Sequence, residues 1–144
     1  MVFESLATVC AGLFAGAAVY ISFVEHPARL ECGTELAATE FGPSYRRATV
    51  MQASLAAVGL VASLVAWAAH RDIRVLIAGL LLGAVIPFTL LVILPTNTRL
   101  LAADLDRRSA EAAALLARWG RLHAVRSVLS ALSFGLLVYR RCYM

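Results

Sequence analysis

Lysine is missing from this chain. Of its 144 residues 13 are basic, and every one is arginine. A nucleic-acid surface needs basic residues clustered on a solvated face; here the net charge of +4 comes from arginines near the ends of apolar segments, and no nucleic-acid partner is expected. Charge of either sign is scarce, at 15% against 61% hydrophobic residues, where a soluble domain is nearer a quarter and a half. Cys10, Cys32 and Cys142 form no Cys-x-x-Cys pair, which excludes dithiol chemistry of the quinone-reductase kind and leaves reduced, structurally minor thiols. The first three apolar segments hold no internal acid, because Glu4 and Glu25 mark opposite ends of the first. That counts against proton-coupled export. No His-Glu-x-x-His string, the local signature of a strong metal motif, occurs either.

What the chain does have is length of apolar run. Ser5–Val24, Ala48–Ala69 and Val75–Leu94 carry no charge, the mean hydropathy is +0.80, and a span needs roughly 20 apolar residues to cross a core of about 30 Å. A fourth run, Ser127–Tyr139, covers only roughly 20 Å at about 1.5 Å per residue. It either thins the bilayer locally or extends backward and carries Arg126, with His123, below the interface. The predicted fold is an all-α, integral membrane four-helix bundle, a single domain over 1–144 with spans near 3–25, 48–69, 74–95 and 119–140. The last helix extends outside the bilayer. The start, Met1-Val2-Phe3-Glu4, lacks the basic region of a signal peptide, so the first run is read as a retained span. Four spans put both termini on one side of the membrane, expected to be the cell (inner) membrane.

Orientation stays open. Arg71, Arg74, Arg140 and Arg141 fall on the terminal side, and Arg29, Arg46, Arg47, Arg99, Arg107, Arg108, Arg118 and Arg121 on the other. The positive-inside rule alone would make the second group cytoplasmic, yet several of its members sit among acids or at the candidate site.

Gly12-x-x-x-Gly16, Gly79-x-x-x-Gly83 and the Gly59/Ser63 pair predict close helix contacts in lipid. His70–Ile73 reads as a tight turn. Pro27–Arg47 reads as a longer connection broken at Gly33 and Gly42-Pro43 around a short amphipathic piece, Thr34–Phe41. Pro87 is expected to kink the third span and Pro95 to end it before Thr96-Asn97. Ser109 is a candidate N-cap for a helix from near Ala110 that runs unbroken into the membrane.

Polar residues gather at one predicted membrane face. Glu25 and His26 close the first segment, Thr96 and Asn97 follow the third, and Trp119, His123 and Arg126 open the fourth. At about 100° per residue, Trp119, His123, Arg126 and Ser130 share an arc of roughly 60°. An interfacial aromatic belt explains a tryptophan but does not require a shared azimuth. His26 and Ser22 share a face of the first span, and Gln52 lies about one turn inside the second. Ionisable groups at such depth are costly unless they serve a site.

Val24-Glu25-His26-Pro27-Ala28, Phe41-Gly42-Pro43-Ser44-Tyr45-Arg46-Arg47, Ile93-Leu94-Pro95-Thr96-Asn97 and Arg118-Trp119-Gly120-Arg121-Leu122-His123-Ala124-Val125-Arg126 resemble the anthrone oxygenase family, once a domain of unknown function. Pro-Thr-Asn and Trp-x-x-x-His-x-x-Arg are the most specific elements. The resemblance implies a small four-span protein. It also implies, as in the few members of aromatic polyketide pathways, oxidation of anthrones to anthraquinones with dioxygen. By the same resemblance His26, Asn97, Trp119, His123 and Arg126 form the shared site.

Three functions remain open at this level. In the first, a membrane-embedded oxygenase acts on a lipophilic anthrone- or quinol-like substrate with no cofactor beyond dioxygen. His123 or His26 is the general base, Arg126 stabilises the resulting anion, and Asn97 orients a carbonyl or hydroxyl. Trp119 stacks on the ring, and Gln52, Thr96, Glu25 and Arg47 complete substrate binding. In the second, Glu25, His26 and His123 ligate a single Fe, Cu or Zn ion or a haem. In the third, the chain is a non-catalytic binding, transport or accessory subunit. Arg46-Arg47-Ala48 also distantly suggests the arginine-rich loop of four-span glutathione-linked enzymes, whose full motif is missing. The lipid bilayer and a lipophilic small molecule are the expected partners, with homo-oligomers a further expectation of unknown stoichiometry.

Overall fold

The computed structural model describes residues 1–143. Among them there is no strand, and four helices are long and apolar enough to cross a membrane: α1, Val2–Glu31; α2, Thr34–His70; α3, Ile73–Leu100; and α4, Ala110–Cys142. Each packs on its chain neighbour and α4 closes back on α1, while the diagonal pairs barely touch. This is the antiparallel four-helix architecture expected from the apolar runs, consistent with a multi-pass membrane protein.

Small residues bring α2 and α3 together. A Cβ on Gly59 would meet Leu82 Cδ2 at 2.5 Å, one on Gly83 would meet Leu60 at 2.9 Å, and Gly79 is pressed against Ser63. In lipid, where apolar burial gives little net drive, such close approach supplies the dispersion that holds helices together. Gly12 faces Phe134 of α4, but nothing lies against Gly16, so only half of the first glycine pair is a contact.

The connections depart from the sequence reading at the prolines. Gly42-Pro43 does not interrupt α2, which runs from Thr34 to His70 with Pro43 inside it. Pro27 does not end α1, and Pro95 does not end α3. Both follow a π-helical turn, Ile21–Glu25 in α1 and Thr89–Ile93 in α3. The reason is steric. A proline ring collides with the carbonyl four residues back, here Phe23 and Leu91. A wide turn, in which His26 N–H reaches Ile21 O and Leu94 N–H reaches Thr89 O, five residues back, moves that carbonyl aside. Each proline then occupies the first turn of the following α-helical segment, where its missing N–H costs little. Near Pro87 the α-helical path of α3 is interrupted at Ala84.

Other local expectations appear as drawn. Arg71 takes the left-handed conformation (φ 56°) and Asp72 caps the start of α3 by accepting from Arg74 N. Ser109 Oγ accepts from Ala112 N at the start of α4. Ion pairs tie both ends of the bundle. At one end Arg140 pairs with Glu4 and, at 2.8 Å, with Asp72, so both chain termini and the α2–α3 turn lie together. At the other end Arg99 donates to Glu111 and Asp104 (2.6 and 3.0 Å) across the α3–α4 connection, and its hydrogen bond holds the Asp104 carboxyl below the usual carboxylate range.

Candidate functional site

The π turns lie beside the site they help to build, a frequent use of this irregularity. The turn in α1 carries Ser22 and Glu25, and the turn in α3 is followed at once by Pro95, Thr96 and Asn97. Against them α4 presents Trp119, His123 and Ser130, all buried, and α2 contributes Gln52. Glu25, Gln52, Asn97, Trp119, His123 and Arg126 line one internal pocket of about 20 Å³, together with Tyr45 and Arg29. Residues from all four helices therefore meet inside the bundle.

His123 is only 1% exposed and stacks on Trp119, ring centroids 4.7 Å apart at 26°. Its protonation pattern follows from its neighbours. The Ser127 hydroxyl donates to the Ala18 carbonyl at 2.9 Å, an acceptor only. With its one proton so committed, Ser127 accepts from Ser22 at 2.8 Å, and Ser22 accepts from His123 Nδ1 at 3.1 Å. A neutral imidazole carries a single N–H, so this chain puts the proton on Nδ1 and leaves the Nε2 lone pair free.

Arg126 reaches the same pocket from below. Its Nη2 donates to Gln52 Oε1 at 2.7 Å and its guanidinium lies 5.4 Å over the Phe14 ring. Among the described residues no carboxylate pairs with it. Arg29 is the contrast. It is buried more fully than Arg126, but it pairs with Glu25 and, at 2.8 Å, with Glu40, and it lies 5.9 Å from the Trp119 ring. A guanidinium cannot shed its charge, and a buried charge without a partner is expensive. Arg126 thus makes the pocket receptive to an anion. Three buried polar atoms on its walls also lack a partner: the donors Gln52 Nε2 and Arg126 Nε, and the acceptor Asn97 Oδ1.

Three residues singled out in the sequence sit elsewhere. His26 is buried and packs on Trp119 at 5.1 Å between centroids, but it borders a groove between α1 and α4 instead of the internal pocket. Its ring lies so close to the α4 backbone that a Cβ on Gly120 would meet Nε2 at 2.5 Å. Thr96 is buried outside the pocket lining, and Arg47 lines an outer groove between α1 and α2. Glu25, His26 and His123 do not assemble as a metal site. Glu25 is engaged by Arg29 and Ser44, and no three His, Cys, Asp or Glu side chains come together in ligand geometry among the described residues. The sequence reading left Arg29 among the interfacial arginines and did not connect Ser127 to His123; a polar residue one turn beyond His123 was the available signal.

Four membrane-length helices around a buried imidazole, two amides and an unpaired guanidinium define a small helical bundle with an internal, anion-receptive pocket. A family model, Anthrone oxygenase, matches residues 41–136, about two thirds of the chain, and the chain belongs to that family. Gln52, Asn97, Trp119, His123 and Arg126 fall within the match; Glu25, His26 and Arg29 precede it. No curated protein and no solved structure matches the chain. Family membership points to an oxygenase-like role.

Proposed function

We propose that the protein is a membrane-embedded oxygenase that oxidises a lipophilic, enolisable aromatic substrate of the anthrone kind, with dioxygen as co-substrate. The observation that carries this reading is the presence in one buried pocket of a histidine with a free Nε2 and an arginine without a counter-charge. His123 Nε2 removes a proton from the ring methylene. The electron pair moves onto the carbonyl oxygen, and Arg126, backed by Gln52, stabilises the enolate, a charge interaction strengthened by exclusion of water. Trp119 stacks on the His123 ring and holds it in the pocket, and Asn97 Oδ1 offers an acceptor to a group that reaches the pocket. The carbanion character at the ring carbon lets it react with dioxygen. One oxygen atom stays as the new carbonyl and the other leaves as water, so the methylene supplies every electron that dioxygen takes up.

The test is oxygen uptake by purified protein in detergent with a hydroxyanthrone, followed together with quinone formation. Wild type consumes oxygen in proportion to quinone formed, and His123→Ala lowers the rate by about 10²-fold or more, the usual contribution of a positioned base. Equal turnover by wild type and His123→Ala removes the imidazole from the reaction. Undiminished binding with no turnover in either protein supports a carrier or accessory role instead.

A further inference from the structure

The internal pocket is too small for an aromatic ring. Its volume of about 20 Å³ holds one molecule the size of water or dioxygen. A second cavity, of about 130 Å³, adjoins it between α2 and α3. The two share Tyr45, Thr49, Gln52 and Arg126, so the Arg126–Gln52 pair stands where they meet. Beyond that pair and the hydroxyl residues Tyr45, Thr49 and Thr89 the walls of the larger cavity are apolar, with Phe14, Ala56, Val85 and Ile86 at its depth. At its outer edge Ala53, Leu90 and Leu94 line it and are exposed on the bundle surface, the leucines at 57% and 38%. These residues lie within the membrane-length stretches of α2 and α3, and the π turn Thr89–Ile93 shapes that edge.

We propose that this lateral cavity binds the apolar body of an aromatic anion that enters from the bilayer between α2 and α3, with its charged oxygen held by Arg126 and Gln52. This rests on the oxygenase reading above for its purpose, though not for its geometry. Access to Arg126 separates it from the other opening. The groove between α1 and α2 also borders the internal pocket, but it carries Glu25 and Glu40, both paired with Arg29, beside Arg47, and it reaches neither Arg126 nor Gln52. The α2–α3 cavity ends at the half-buried Arg126, whose enclosed Nε has no partner and whose guanidinium no described carboxylate pairs with. With the aromatic body in the lateral cavity, only its edge beside the Arg126–Gln52 pair faces the internal pocket and His123, and the rest of that pocket is left for the small second reactant.

Anthracene-9-carboxylate, a fluorescent aromatic anion with no oxidisable methylene, tests the cavity apart from catalysis. It is titrated into full-length protein in lipid nanodiscs. Ala53→Phe, which fills the cavity from its outer edge, weakens binding about tenfold or more, while Met51→Phe, in the α1–α2 groove, leaves it within about twofold. Arg126→Gln weakens the carboxylate but not neutral 9-anthracenemethanol. Should Ala53→Phe not fold, photolabelling of wild type with an azido derivative of the carboxylate replaces it, and labels fall on residues 49–56 and 85–94. Unchanged affinity in folded Ala53→Phe, loss in Met51→Phe, or labels confined to α1 and α4 overturns the proposal. Binding as expected without oxygen uptake from a hydroxyanthrone leaves the cavity standing and defeats the oxygenase reading alone.

Discussion

Arg126 donates to the side-chain oxygen of Gln52 at 2.7 Å, and that neutral amide is its only side-chain hydrogen-bond partner among the described residues. A half-buried arginine with an enclosed, unpartnered Nε, matched with an amide instead of a carboxylate, keeps its charge available to whatever enters, at a cost to folding.

That cost predicts an opposition between stability and activity. Arg126→Gln removes the uncompensated charge, so the folded protein is no less stable than wild type in a thermal or denaturant melt. Turnover falls by about 10²–10³-fold, the range for losing one preorganised donor to a developing oxyanion. A variant that is both destabilised and fully active contradicts the assignment.

The serine chain predicts a positioning effect. Ser22→Ala removes the acceptor at His123 Nδ1, so the imidazole proton redistributes between the two nitrogens and part of the population loses the Nε2 lone pair. The expected loss in kcat is about 2- to 10-fold, set by the fraction of His123 left in the wrong tautomer, with ligand affinity unchanged. Nitrogen NMR of His123 checks the cause, since wild type shows one Nδ1–H tautomer and Ser22→Ala a mixture.

Gly120 predicts a reversal of helix propensity. In an exposed helix Gly→Ala stabilises by about 1 kcal/mol, but a Cβ here would meet the His26 ring at 2.5–2.7 Å. Gly120→Ala is therefore expected to destabilise by about 1–3 kcal/mol through overpacking. His26→Ala combined with Gly120→Ala recovers part of that loss, because the two sites couple through contact. Additive effects in the double variant exclude the contact as the cause.

The far end of the bundle gives a structural control. Arg140 lies between Glu4 and Asp72, and Arg140→Ala leaves two largely buried carboxylates without a cation. The expected cost is about 3–5 kcal/mol. Replacing Glu4 by Gln and Asp72 by Asn in that background restores much of it.

Much of this was legible in the sequence because apolar length, caps and single-helix stripes are local properties. Four uncharged runs announce four helices, Ser109 announces the start of α4, and a 3.6-residue period puts Trp119, His123 and Ser130 on one buried face. The prolines misled for a physical reason. Pro27, Pro43 and Pro95 read as breaks, yet a π turn or the surrounding bundle satisfies the backbone each disturbs, and the helices continue. Relations between helices were harder to see. Periodicity gives the azimuth of His26 on α1 but not which neighbour it meets, so His26 was grouped with His123 although it faces the α1–α4 groove. Arg29 and Arg126 look alike in sequence, and only the fold shows that one is neutralised by Glu25 and Glu40 while the other is not.

The most direct measurement is an absorption spectrum of a hydroxyanthrone bound to the protein without oxygen. An imidazole that takes the methylene proton beside a guanidinium that holds the resulting charge converts bound ligand to its enolate, whose absorption lies at longer wavelength than that of the ketone. Wild type shows the enolate band at a pH where free ligand shows none, and His123→Ala binds the ligand without it. A wild-type complex containing only the ketone, or an enolate band that persists in His123→Ala, contradicts the account.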